Sequence, residues 1–117
     1  MMGSNLISLK PAILEPSGYI TAANVAQFQQ TLTEFIANNA HTTYLVDMYQ
    51  VEFIDSAGLM ALVSAFRLAQ RLGKRFSVCS LAPSVRIIFE LTQLDRAFEI
   101  YETRKAFELS IGEAVAA

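Results

Sequence analysis

Asp55, Ser56 and Gly58 stand together in the run Phe53-Ile54-Asp55-Ser56-Ala57-Gly58, which puts a carboxylate, a hydroxyl and a glycine within four positions. Two of these are residue types that cap helices, since a side-chain oxygen there satisfies an otherwise unpaired backbone N–H for about 1 kcal/mol. The same hydroxyl could instead act as a nucleophile or accept a phosphate. A nucleophilic serine at a strand-to-helix elbow needs glycine on both sides and a histidine base. Here Ile54 occupies the first glycine position and only Gly58 fits the second. The single histidine, His41, precedes the central strand and is expected at the opposite end of the sheet. Metal ligation is disfavoured, because one His and one Cys cannot assemble a common ligand set. Neither G-x-G-x-x-G nor G-x-x-x-x-G-K-[ST] occurs, so no glycine-rich phosphate loop is indicated. Cys79 lies in the strand-like run Phe76-Ser77-Val78-Cys79 and reads as a buried, inert thiol. Helix capping and phosphate acceptance both remain open for Ser56.

The elements that must position this junction are a strand before it and a helix after it. Tyr44, Leu45 and Val46, followed by Met48 and Tyr49, form an apolar run suited to a strand covered on both faces. From Leu59 the apolar residues Leu62, Val63, Phe66 and Ala69 repeat with helical spacing; Arg67, Gln70, Arg71 and Lys74 share another face, and Gly73 supplies the stop. Upstream, Leu6–Leu9, Ala12–Leu14 and Tyr19–Ile20 read as short edge strands broken by the turn Pro16-Ser17-Gly18. Thr21 is expected to cap a helix carrying Val25, Phe28, Leu32, Phe35 and Ile36, which stops at Asn38-Asn39. Downstream come a strand over Arg75–Ser80 and a third helix from Pro83 through Leu94, with Val85, Ile88 and Phe89 on one side and Ile87 and Leu91 widening the apolar arc. A strand over Phe98–Glu102 follows, and Thr103 is placed to cap a closing helix carrying Phe107, Ile111, Ala114 and Val115.

Strands alternating with helices imply right-handed crossovers, a mainly parallel sheet and about four helices packed on it. The class is α/β. Functional residues of such sheets gather at the carboxyl ends of strands, which is where Asp55, Ser56 and Thr21 should lie. A chain of 117 residues suits one domain, expected to run over 1–117. The net charge of −2 and pI near 5.3 leave no electrostatic footprint for nucleic acid. No apolar run approaches the roughly 20 residues that cross a bilayer, and the N-terminus lacks a signal-peptide plan. With one cysteine and no internal disulfide to form, a cytoplasmic location is expected.

The run Phe53 to Leu59 resembles the D-S-x-G-L signature of STAS domains of the anti-sigma factor antagonist family. The likeness extends over nearly the whole chain: Gly18-Tyr19-Ile20-Thr21 resembles that family's G-x-[LI]-D entry to its first helix, Leu45-Val46-Asp47 its strand before the motif, and Val85-Arg86 through Phe89 its third helix. The resemblance implies a non-enzymatic switch without cofactors. In such proteins the motif serine is phosphorylated by a partner kinase that is also an anti-sigma factor, and only the unphosphorylated form binds that partner and releases the sigma factor. Ser56 inherits the phosphorylation site. Asp55, Ala57, Gly58, Thr21 and Asn24 inherit the partner face, and a serine phosphatase is implied to reset Ser56. Thr21 stands where the family usually has Asp, so any contact there must be neutral. Helical geometry adds Met60, four residues beyond Ser56 and therefore on its face, as a half-exposed partner contact. Ile87 would extend that patch or support a weak homodimer. The alternative reading is a STAS scaffold or small-ligand sensor in a larger signalling or transport assembly, with Ser56 only capping.

Overall fold

Tyr44, Leu45 and Val46 are fully buried because the strand that carries them is covered on both faces. The structure, a computed structural model, describes residues 10–38 and 40–116, with side chains through 112. Leu6–Leu9 and the side chains of Ala114 and Val115 lie outside the described residues. The elements are β1 (Ala12–Leu14), β2 (Ser17–Ile20), α1 (Val25–Ala37), β3 (Thr43–Asp47), β4 (Gln50–Ile54), α2 (Ser56–Arg71), β5 (Arg75–Cys79), α3 (Pro83–Leu91), β6 (Glu99–Tyr101) and α4 (Arg104–Ala116), with a 3-10 turn over Leu94–Arg96. One sheet has the order β1-β3-β5-β6 and a second pairs β2 with β4. Among the described residues every pairing is parallel and four α-helices flank the strands, as the α/β reading requires.

Alternation along β3 and β5 sorts the core into two layers. Tyr44, Val46, Phe76 and Val78 join Leu32, Leu62, Val85 and Phe89 from α1, α2 and α3. Leu45 and Cys79 face the other way, onto Phe107 of α4. Around that smaller core, Arg75 donates to Glu99 (2.7 Å), to the Tyr101 hydroxyl (2.7 Å) and to Ser110 (3.3 Å), tying α4 to the sheet.

The central stretch departs from expectation, because two strands stand where one was read. The Asp47 carboxylate accepts the Tyr49 N–H (3.1 Å), and Val51 N–H reaches the Met48 carbonyl (3.0 Å), so the chain turns at Met48-Tyr49 before β4 begins. β4 was illegible because its register slips: Gly18 pairs with Val51 but Tyr19 with Phe53, leaving Glu52 as a bulge that breaks the period of two. Only Val51 and Ile54 of β4 are buried.

Three smaller corrections follow. Asn24, not Thr21, occupies the N-cap position of α1, because the Asn24 N–H bonds the Thr21 carbonyl (3.0 Å) in a turn that delays the helix. α3 ends at Leu91 rather than Leu94, since Gln93 takes a left-handed conformation (φ 61°). Ile87 and Leu91, which widen the apolar arc of α3, face outward, 52% and 77% exposed, in keeping with Ile87 as a surface residue. Lys74 leaves the basic face of α2 and bonds the carbonyls of Ile36 (2.8 Å) and Asn38 (2.7 Å), closing the end of α1. Thr103 does cap α4, accepting the Ala106 N–H (3.0 Å).

Candidate functional site

Parallel pairing of β2 with β4 sets Ile20 opposite Ile54, so the two chain segments that leave these strands start side by side. One is the turn Thr21–Asn24 leading into α1; the other is Asp55-Ser56 opening α2. Asp55 joins them. Its Oδ1 accepts the Gly58 N–H (3.0 Å) as the N-cap of α2, its Oδ2 accepts the Ala22 N–H (2.9 Å), and its own N–H donates to the Ile20 carbonyl (3.1 Å). The Gly58 N–H first, then the Ala22 N–H, holds the carboxyl below its usual range. Within the neighbouring turn Asn24 clamps the backbone, accepting the Thr21 N–H (2.9 Å) and donating to the Tyr19 carbonyl (2.8 Å), while the Thr21 hydroxyl accepts from Ala23 (3.3 Å).

Ser56 is the first residue of α2 and is exposed. Its hydroxyl bonds no described residue, because Asp55 has taken the cap. Of the two capping candidates in the sequence, one caps and the other is left free. Met60 lies a turn further along, 52% exposed, whereas Leu59, Leu62 and Val63 are buried. Ala57 is half-buried, Thr21 half-buried and Asn24 exposed. Gly58 is buried, and a Cβ there would lie 2.6 Å from Ile54 Cγ1 and 2.9 Å from both Ile20 Cγ2 and the Ile20 carbonyl oxygen. Glycine at this place lets the head of α2 sit directly on β2 and β4, so its contribution is the height of the helix and not a surface contact.

His41 is engaged elsewhere, bonded to the Lys10 carbonyl (2.8 Å) and packed edge-on against Tyr44. Cys79 is buried, and burial pushes its thiol up to about 11. Among the described residues no group of His, Cys, Asp and Glu could hold a metal ion, and no helix is long and apolar enough to cross a membrane. Sequence reasoning missed two features of this end of the molecule. Tyr19 and Phe53, register partners on β2 and β4, expose a ring pair with centroids 6.0 Å apart. An open groove of about 450 Å³ runs between the β1–β2 turn and α1, lined in part by Tyr19, Asn24, Gln27 and Phe28. The ring pair depends on the β2–β4 pairing, for which the only local signal was the Gly18 turn.

The fold and the junction define an α/β domain whose carboxylate-capped strand–helix junction presents a serine hydroxyl that no described residue bonds. The sequence model of the STAS domain matches residues 6–106, and the chain belongs to that family. It is 28% identical over 94 residues to the anti-sigma-F factor antagonist RsfB of Mycobacterium tuberculosis, covering 79% of this chain and 74% of that one. The fold is shared with the Bacillus cell-fate determinant SpoIIAA in its phosphorylated form, at 17% identity and a TM-score of 0.65 over 90% of this chain and 95% of that chain. It is equally shared with a sulfate transporter family protein of Wolinella succinogenes, at 13% identity and a TM-score of 0.74 over 97% and 96% of the two chains.

Proposed function

We propose that this chain is an anti-sigma factor antagonist, one STAS unit over 1–117 that works in the cytoplasm as a non-enzymatic switch set by phosphorylation of Ser56. The observation that carries the reading is the exposed, unbonded Ser56 hydroxyl at the head of a helix that another residue caps. It is supported by the likeness to RsfB, a bacterial antagonist by name, and by a phosphorylated protein among those sharing the fold. The unphosphorylated chain binds a serine kinase that doubles as an anti-sigma factor, and a serine phosphatase resets it. Asp55, Ser56, Ala57, Met60, Thr21 and Asn24 form the docking face, with Gly58 setting its height. A weak homodimer is a further association of the same chain.

The switch has a physical basis. Phosphorylation adds about −1.5 to −2 charges and three acceptor oxygens at Ser56. Within the chain this is tolerated, since a helix N-terminus favours an anion by typically 0.3 to 1 kcal/mol. Against a docked partner the same group must be desolvated beside the ionised Asp55, and each 1.4 kcal/mol of that penalty is tenfold in affinity. The test is side-by-side capture from source lysate with the wild type and Ser56→Asp, together with mass spectrometry of Ser56 in protein isolated from cells. A kinase retained by the wild type alone, with phosphate found on Ser56, bears the reading out; equal retention by both proteins and no phosphate on Ser56 refute it.

The second reading, a STAS scaffold or small-ligand sensor in a larger signalling or transport assembly, is favoured by the sulfate transporter family protein of the same fold. There Ser56→Asp would leave a stoichiometric complex intact.

A further inference from the structure

We infer that the docking face extends beyond Met60 along the full length of α2, and that its far end, Arg67 and Arg71, receives an acidic surface of the partner protein. The inference rests on the switch reading for the partner's identity, but on separate residues for its evidence. At 100° per residue Ser56, Met60, Ser64, Arg67 and Arg71 fall within about 80° of arc on α2, and all five are exposed. They form one stripe, opposite the side on which Gly58, Leu62, Ala65 and Ala69 are buried.

Two of the three arginines whose side chains make no ion pair or hydrogen bond with a described residue lie on this stripe; the third is Arg96, in the 3-10 turn after α3. Arg75, Arg86 and Arg104 each pair with a carboxylate of the chain, Glu99, Glu102 and Glu15. Arg67 and Arg71 have no ion pair or hydrogen bond with any described residue. They stand four residues apart on one helix face, a like-charge placement that weakens the helix. Arg71 is compensated by the negative end of the helix, where it lies in the last turn. Arg67 is a turn further in and has no such compensation. A carboxylate-bearing surface laid along the stripe would satisfy both, while Met60 receives an apolar side chain.

The chemistry selects a protein over other polyanions. Membrane recognition by basic segments takes clusters of about four to eight Lys or Arg, and an interfacial helix needs large apolar anchors on the inserted side. This stripe offers two cations and one methionine. The two ends of the stripe also act separately. Arg67 lies eleven residues from Ser56, about 16 Å along the axis, against a screening length of about 8 Å at physiological salt. Phosphate on Ser56 therefore blocks docking locally, and the arginines steer approach.

The test uses the full chain and the purified serine-kinase anti-sigma factor of the source organism. Association rates are measured across a sodium chloride series for the wild type, Arg67→Glu/Arg71→Glu, and the control Arg96→Glu/Lys105→Glu, which makes the same change in net charge away from α2. Thermal melts confirm that all three fold. The stripe reversal is expected to slow association about tenfold at low salt and to flatten its salt dependence, with the control changing less than twofold. Equal slowing by both pairs, an unchanged rate, or no binding by the wild type overturns the inference. Binding of the wild type to phosphatidylserine vesicles that the reversal abolishes would assign the stripe to a membrane instead. A wild-type dimer in sedimentation that the reversal dissociates would assign it to a second copy. Ser56→Asp is run in parallel: binding that survives it while the stripe reversal slows association sinks the switch and leaves the stripe standing, and the opposite pattern sinks the stripe alone.

Discussion

Replacing Gly58 by alanine tests how closely the head of α2 must sit on the two strands beneath it. In an open helix the change would help, since alanine is favoured over glycine by about 0.8 to 1 kcal/mol. Here the new methyl would lie 2.6 Å from Ile54 Cγ1, 2.9 Å from Ile20 Cγ2 and 2.9 Å from the Ile20 carbonyl oxygen. The two side chains can shift by rotamer, but the carbonyl is backbone and already accepts the Asp55 N–H at 3.1 Å. Relief therefore requires α2 to lift. Overpacking of this kind costs typically 1 to 3 kcal/mol, and loss of the Asp55 hydrogen bond adds about 0.5 to 1.5 kcal/mol. Set against the propensity gain, the net destabilisation is about 0.5 to 3.7 kcal/mol. An unfolding entropy of about 2.1 cal/mol/K per residue is about 0.25 kcal/mol/K for 117 residues, so the melting temperature should fall by about 2 to 15 °C. Calorimetry and urea unfolding measure it directly. A Gly58→Ala protein as stable as the wild type, or more so, would refute the close-packing argument and with it the explanation of why glycine stands at this point of the motif.

Asp55 carries a pH signature. Its carboxyl is held below the usual range by the Gly58 and Ala22 N–H groups, so its contribution is fully present above the unfolded-state pKa near 3.9 and is lost as pH falls through the lower folded value. Urea unfolding should find Asp55→Ala less stable than wild type at pH 6, with the gap narrowing as the pH is lowered from about 5 toward 2; a constant gap would contradict the assignment. Gln93 sits in the left-handed region just beyond α3 at φ 61°, where a side chain costs about 1 to 2 kcal/mol that glycine does not. Gln93→Gly should therefore raise stability by about 1 kcal/mol in urea unfolding, and a loss would show that the side chain is needed there. Met60, half-exposed on the Ser56 face, should accept lysine with a melting temperature within about 2 °C of wild type, while kinase binding weakens. A large drop in melting temperature would make Met60 a core residue instead.

What the sequence made legible follows from how local each signal is. The apolar spacing of α1 ends within a residue of the observed Ala37, and β5 and the Thr103 cap of α4 were readable from their own few residues. β4 was not, because its bulge at Glu52 destroys the alternation by which a half-buried strand is recognised. The start of α1 was misplaced from Asn24 to Thr21 because both are capping types, and the turn between them puts Asn24 at the N-cap position although its side chain bonds back to Thr21 and Tyr19 rather than into the helix. Least visible of all was the bond between the Asp55 carboxylate and the Ala22 N–H, which joins residues 33 apart through a pairing of β2 and β4 that no local pattern announces.

That long-range bond bears on why an acidic residue and a serine should be adjacent at a site proposed to accept phosphate. Were Ser56 itself the cap of α2, modifying its hydroxyl would remove the acceptor that satisfies the first turn, and each change of state would cost the helix about 1 kcal/mol. With Asp55 as the cap the helix is closed through Gly58 and anchored to the neighbouring turn through Ala22, whatever Ser56 carries. The low carboxyl pKa keeps that acceptor ionised throughout the neutral range. A permanent negative charge then stands beside the hydroxyl, so an added phosphate meets a like charge as well as the favourable end of the helix. The first effect is felt most strongly when a partner excludes water from both groups, and the second holds whether or not a partner is present. Such an arrangement separates the stability of the domain from the occupancy of its surface, which is what a reversible docking switch requires.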